Sequence, residues 1–406
     1  MALDPHVLRS EDYARHPEAV WRELRHEQPL YHDPIDGTWL LTRYADVVAV
    51  FADHETYSAA TYEETTGVVV GPTLISRDDH GHVVRRSLVA PDFVGGRLAT
   101  FHDLIAAAAE ALIDRFEGSA HIDLVAQFSR HLPVDVIGAM LGIVGDGDLF
   151  RQWVTDMIMG LAPIPELRER GMAASRAFCS HIVPALEGVD DPDRTDLIAK
   201  IARAEVDGES LSRAEITAFC GLLFIAGGET TDKAIANMWW NLLRHPDQFD
   251  AVIDDPGLWD AAFSETMRRH APVVAEDRFT TRPVEWYGTE IPEGARVRVS
   301  VGSANVDETV FADPESFDIG RADLNLGKEL RSGKPIGRRA GHMGFGLGKH
   351  FCIGYELART EAIVGSKLVL ERCGRPEIRP GTDPWPLVRR SFRAVASLEL
   401  EFGAAA

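Results

Sequence analysis

Ten consecutive residues, Phe345-Gly346-Leu347-Gly348-Lys349-His350-Phe351-Cys352-Ile353-Gly354, set one cysteine behind closely spaced glycines and ahead of an amphipathic stretch. Gly346 and Gly348 permit the positive-φ turns of a tight loop. Backbone N–H groups and the positive end of a following helix stabilise a sulfur anion at Cys352. Gly354, with no side chain, lets that helix lie close under a flat macrocycle. A thiolate on a haem iron pushes electron density toward bound dioxygen and favours O–O cleavage, so the implied chemistry is oxygen activation. A lone cysteine reads as core packing, because free Cys is among the most buried residue types. Here ten patterned positions carry the reading.

A second constellation, Ala226-Gly227-Gly228-Glu229-Thr230-Thr231, lies inside a long apolar helix. Each glycine costs about 1 kcal/mol relative to Ala in a helix interior, and the β-branched alcohols add to this. Such a local conflict marks either a site or a helix crossing where small residues allow close packing.

The pattern Phe-x-x-Gly-x-x-x-Cys-x-Gly, continued by Ala358-Arg359 and Glu361, resembles the haem-binding signature of the cytochrome P-450 family, and residues 226–230 match that family's Ala-Gly-x-Glu-Thr segment. The resemblance covers nearly the whole chain in motif order. It implies haem b with Cys352 as axial thiolate and metal ligand, and Phe345, Gly346, His350 and Gly354 around it. It places Ala226 and Gly227 beside the haem where the helix widens to admit dioxygen. Thr230 is then the hydrogen-bonding partner of the activated oxygen and Glu229 the proton relay. His82 and Arg86, four apart and so on one helix face, together with Arg278 and His350, match the family's haem-propionate contacts. Glu265 and Arg268 match its Glu-x-x-Arg pair, with Arg321 as third member of a structural network. Two departures stand out: Asn305-Val306-Asp307-Glu308 replaces Asn-Arg-Asp-Pro, and Asp79-His80 stands where a proline precedes His82.

By the same analogy the substrate is walled by the loop from Tyr57 to Pro72, by Trp153 to Leu161, by Phe219, Leu222 and Leu223, by Val273, Val274 and Ala275, and by Phe392. These residues are mostly apolar and imply a small or medium apolar substrate, such as a terpenoid, an aromatic or a secondary-metabolite intermediate. Glu276 and Asp277 are placed to receive a cationic group unless Arg278 neutralises them. The expected activity is a monooxygenase that inserts one oxygen atom of dioxygen using electrons from a separate ferredoxin or flavodoxin, with no fused reductase. Alternatives are a peroxide-driven oxygenase, an oxidative coupling catalyst, or a haem-based ligand sensor.

These groups have to be positioned by helices. Residues 11–27 read as one helix, followed by short strands near Leu30–His32 and Thr38–Thr42 and a helix from Ala45 to Phe51. Helical periodicity dominates from Gly81 to about Gly188. Ser212-Arg213-Ala214-Glu215 is a capping box opening a central helix that runs to Arg244, ahead of His245-Pro246. Trp286–Ile291 and Ala295–Val301 read as strands. The resemblance implies a mainly α fold with a minor β region, a triangular helical prism with haem between the central helix and the cysteine-bearing helix. One domain over residues 1–406 is expected, since no repeat or flexible linker divides the chain.

Composition narrows the setting. Cys179, Cys220, Cys352 and Cys373 have no C-x-x-C spacing, which argues against a zinc site or covalent haem attachment and fits a reduced, cytoplasmic protein. No stretch reaches the length of a signal peptide or membrane span, as in bacterial members of the family rather than membrane-anchored eukaryotic ones. A net charge of −21 argues against nucleic-acid binding. Yet Arg321, Lys328, Arg331, Lys334, Arg338, Arg339 and Lys349 outnumber Asp323 and Glu329 around the cysteine loop, a basic face suited to an acidic electron donor.

Overall fold

The computed structural model describes residues 4–143, 147–325, 339–382, 384, 387–389 and 391–403. The helices that carry candidate residues are, in chain order, α1 (Tyr44–Ala52), α2 (His80–Val89), α3 (His102–Ile113), α4 (Leu132–Met140), α5 (Gly147–Met159), α6 (Pro165–Ile182), α7 (Arg213–Arg244), α8 (Trp259–Arg269) and α9 (Tyr355–Cys373). Further short helices and short strands make up the rest of the regular structure, so the expected class, mainly α with a minor β region, holds. Among the described residues no helix is long and apolar enough to cross a membrane.

Local chemistry sets the boundaries. At the start of α7, Ser212 N–H donates to Glu215 Oε2 (3.0 Å) and Glu215 N–H to Ser212 Oγ (3.3 Å), the reciprocal bonds of a capping box. The helix stops at Arg244 because Pro246 pushes His245 out of the α region (φ −128°, ψ 72°). The same effect divides the helix expected over 11–27: His16, before Pro17, has φ −134° and ψ 62°, leaving Glu11–Arg15 and Glu18–Glu27. Trp286–Ile291, read above as one strand, is instead part of a hairpin. Val284–Trp286 pairs antiparallel with Thr289–Ile291 across Tyr287 (φ 53°) and Gly288 (φ 75°), the positive-φ pair that a two-residue turn requires.

The chain divides between two compact units, each discontinuous in sequence: Met1–Ser58, Lys233–Cys352 and Glu377–Glu401 form the first, and Ala59–Asp232, Ile353–Pro376 and Phe402–Ala406 the second. In the first, strands β1 (Leu30–His32), β2 (Trp39–Leu41), β3 (Tyr57–Ser58), β4 (Glu276–Thr280) and β5 (Arg296–Val299) form a sheet in the order β1-β2-β5-β4-β3, with β2 and β5 parallel. Its core joins Leu41, Val47, Phe51, Val297, Val299 and Phe311 to Met343 and Leu347 of the cysteine loop. The loop is therefore anchored by burial as well as by turns.

In the second unit α9 packs on α3 and α4. A Cβ added at Gly365 of α9 would stand 2.8 Å from Leu132 Cδ2, so this contact needs the glycine. Helices α5 and α6 touch backbone to backbone, since a Cβ on Gly160 would lie 2.8 Å from Gly171 Cα. Phe150, Trp153, Phe178 and Phe224 fill the space between α5, α6 and α7, with Phe178 and Phe224 centroids 4.9 Å apart.

Candidate active site

The cysteine loop has the backbone that its glycines suggested. Gly346 and Gly348 both sit at φ 65°, and a Cβ on Gly348 would approach Phe51 O to 3.0 Å. Gly346 N–H donates to Met343 O and Cys352 N–H to Phe345 O, each at 2.9 Å, closing a double turn that leaves Cys352 exposed. Gly354 is the N-cap residue of α9 (φ −84°), so the sulfur-bearing residue stands two positions before the N-cap at the positive end of a helix. The Phe345 ring lies 6.1 Å from Phe263 of α8, and His350 ends the short 3₁₀ turn Gly348–His350.

From Ala218 to Leu242, α7 is buried at every position except Ala226, Gly227 and Thr230. These three share one helical face, so a helix otherwise enclosed is accessible at its centre. Thr230 Oγ1 donates to Ala226 O at 2.6 Å, and Glu229 is buried beside it. The glycines serve packing as well: a Cβ at Gly227 would lie 2.7 Å from Ile137 Cδ1, and one at Gly228 would lie 3.2 Å from Val134 and 3.4 Å from Val154. Of the two meanings the sequence left open, close helix crossing is directly visible at Gly227 and Gly228. The accessible face belongs to Ala226 and Thr230.

His82 is buried on α2, its Nδ1 2.9 Å from Leu74 O. Asp79, at the site of the missing proline, is the N-cap of α2 and accepts from His82 N–H at 3.2 Å, so the departure supplies a helix start of its own. Arg86 lies one turn on, partly buried. Arg278 of β4 is buried over the Phe51 ring, donating to Glu276 Oε2 (3.1 Å) and Asp277 O (2.8 Å). Arg296 and Arg298 both hold the Asp277 carboxylate. Glu276 and Asp277 are thus paired with arginines, as the alternative to cation capture required.

Glu265, Arg268 and Arg321 meet. Arg268 donates to both Glu265 oxygens at 2.7 Å, Arg321 Nε reaches Glu265 Oε1 at 3.2 Å, and Arg268 also donates to the carbonyls of Asn305, Pro314 and Ser316. Burial pulls the Arg268 guanidinium below its ordinary pKa, while Glu265 acts the other way. Arg321, with its side chain only 5% exposed, belongs to this network and not to the surface basic face. Of that face Arg339 is exposed and Lys349 partly buried; Lys328, Arg331, Lys334 and Arg338 lie outside the described residues. Val273 pairs with Phe392 in an antiparallel bridge, with Val274 alongside. Phe219, Leu222 and Leu223 are buried on α7.

Sequence reading missed how this scaffold reaches the cysteine. Asn305 Oδ1 accepts from Met343 N–H (2.7 Å) and its Nδ2 donates to Met267 O (3.2 Å), linking α8 to the loop. Asp307 accepts from Tyr44 N–H, and Tyr44 Oη donates to Gly341 O. The segment that departs from the family pattern at Val306 and Glu308 keeps two side chains that brace the loop.

A family model described as Cytochrome P450 matches residues 257–402. The Steroid C26-monooxygenase of Mycobacterium tuberculosis is 31% identical over 392 residues, covering 95% of this chain and 93% of that protein. The chain belongs to the cytochrome P450 family. This P450 is therefore an oxidoreductase of the monooxygenase type. It is also 30% identical to Cyclomarin C epoxidase CymV of Salinispora arenicola, over 88% of this chain and 89% of that protein. The ligand-free structure of cytochrome P450 TbtJ1 superposes with a TM-score of 0.85 at 30% identity, covering 97% of this chain and 98% of that one. The family is one of haem-thiolate proteins, and the residues of this P450 fit such a group. An exposed cysteine stands two residues before a helix N-cap, a central helix is accessible at its centre, and Arg278 is a buried cation able to meet a carboxylate.

Proposed function

We propose that this P450 inserts one oxygen atom of dioxygen into an apolar small or medium organic substrate, drawing electrons from a separate ferredoxin or flavodoxin in the cytoplasm. Cys352 holds haem b, and His82, Arg86, Arg278 and His350 meet its propionates. The bound haem-thiolate supplies dioxygen activation. The observation that carries the reading is Thr230: its hydroxyl lies on the accessible face of an otherwise buried α7, with its hydrogen engaged by Ala226 O at 2.6 Å. With its proton directed at that carbonyl, Oγ1 presents lone pairs to the open face and orders a water there as proton carrier. Glu229, the adjacent buried carboxylate, exchanges the proton with solvent-side groups. Phe219, Leu222, Leu223, Val273, Val274 and Phe392 offer apolar surface to the substrate. Relatives named for a steroid and for cyclomarin C support an apolar substrate.

Thr230→Ala tests this. With a surrogate ferredoxin and reductase, and a steroid or cyclic peptide that shifts the Soret band toward high spin, reductant consumption should continue while product per electron falls by about tenfold or more. Unchanged coupling would remove the relay and favour a peroxide-driven or oxidative-coupling enzyme.

A further inference from the structure

We propose that Asn237 is a positioning residue for substrate specificity: it fixes the wall formed by Val273 and Phe392, touching neither substrate nor cofactor. The proposal rests on the reading above, in which those side chains line the substrate pocket.

The two segments of the wall meet at a single bridge, and the second, Phe392–Ala394, also pairs antiparallel with Leu387–Arg389. Val273 stands opposite Phe392 in an isolated antiparallel bridge, with Arg393 N–H donating to Pro272 O and Val274 N–H to Ser391 O, each at 2.9 Å. Paired residues project to the same face, and Val273 and Phe392 are both partly exposed while Ala271, Ala275, Ala394 and Val395 are buried. Two strands of this length do not hold their own position and need an outside anchor.

Gly302 N–H holds the first segment through Val274 O (2.9 Å), and Asn237 is the anchor that reaches both. It is 0% exposed, and its amide addresses both segments: Nδ2 donates to His270 O (2.8 Å) and to Arg393 O (3.4 Å), and Oδ1 accepts from Val395 N–H (3.0 Å). One bond grips the chain just before the first strand, and two grip the second on either side of Ala394. A primary amide joins two donors to an acceptor at the end of a short stem, so the side chain matches two carbonyls and one N–H at once. Aspartate has no donor for the carbonyls, and an apolar side chain strands three buried backbone groups. Asn241, one turn on, has its Oδ1 2.8 Å from His270 Nδ1 and holds the same entry turn. Asn237 follows Thr230 by seven residues, two turns of α7, so the wall is referenced to the helix that bears the proposed oxygen-side alcohol.

The test uses holoprotein and two iron ligands that differ in bulk, imidazole and 4-phenylimidazole, titrated by the Soret shift in the parent, Asn237→Asp, Asn237→Ser and Phe392→Ala. The expected result is a change of about tenfold in the ratio of the two dissociation constants in the Asn237 variants. The ferrous-carbonyl spectrum, which reports thiolate ligation, should stay the same. A ratio altered by Phe392→Ala but not by either Asn237 variant, or both ligands weakened equally by those variants, would overturn the proposal and leave Asn237 a stability residue. No change with Phe392→Ala would show instead that the wall does not line the pocket, ending both the underlying reading and the inference. Asn237→Ser, smaller and uncharged, covers the case in which a buried aspartate prevents folding.

Discussion

Glu361 and His342 are buried titratable groups that the proposed chemistry does not use, and they give opposite pH dependences. Glu361 is 1% exposed, its Oε2 has no hydrogen-bond partner among the described residues, and burial holds its carboxyl well above the usual range. The folded protein keeps that proton where the unfolded chain has released it, so stability falls as pH rises past the ordinary glutamate value of 4.5. Glu361→Gln should raise the melting temperature at about pH 8, with the gain closing toward about pH 4; a gain independent of pH would contradict this account. His342 Nδ1 accepts from Gly344 N–H at 3.3 Å, its Nε2 is buried without a partner among the described residues, and burial, aided by Arg268, pushes it down to about 3. Here the unfolded chain binds the extra proton, so stability is lost as pH falls from 6.5 toward about 3. His342→Gln should flatten that acid limb in thermal melts, and an unchanged limb would place the acid sensitivity elsewhere. The cysteine loop was legible because glycine and thiolate chemistry act within ten residues. His342, Asn305 and Asn237 were not, because their meaning depends on whether a buried polar atom finds a partner, which is a property of packing.

At the scale of elements, Gly348 is the position least tolerant of change. Its φ of 65° strains any L side chain, and a Cβ would press on Phe51 O of α1 at 3.0 Å. Gly348→Ala should cost about 1–3 kcal/mol in chemical denaturation and lower the thiolate fraction of the ferrous-carbonyl spectrum. A fully retained spectrum would mean that the loop tolerates a shift away from α1. Element boundaries could be read where one residue type decides them, as at the Ser212–Glu215 box and the proline after His245, whereas the break that Pro17 makes was missed in the helix read over residues 11–27. The hairpin at Tyr287 escaped because tyrosine rarely takes positive φ, so only the following glycine gave any signal. Gly227 and Gly228 carried two meanings in the sequence. Ile137, Val134 and Val154, far away along the chain, bring out the packing meaning.

For the whole molecule, the net charge of −21 would repel an acidic electron donor at long range, whereas Arg339, shortly before the cysteine loop, and Lys349 within it would attract one nearby. Screening acts within about 10 Å at 0.1 M salt, so the two effects separate in an ionic-strength series. If the local face guides docking, reduction by ferredoxin should slow by about tenfold from low to moderate salt. A rate that rises with salt would mean that overall repulsion governs encounter. Neither unit could be delimited from the sequence, because no linker marks the places where the chain passes between them. One passage is the bond after Cys352: the thiolate-bearing loop ends the long segment of the first unit, and α9 enters the second. During synthesis this order matters. The face of α3 and α4 that α9 covers emerges early from the ribosome and stays uncovered until residues beyond 353 appear, on the order of ten seconds later at ordinary elongation rates. Over that interval the nascent chain carries an apolar helical surface and no cysteine loop, an order of synthesis that predicts holdase binding before residue 353 emerges and haem loading after it.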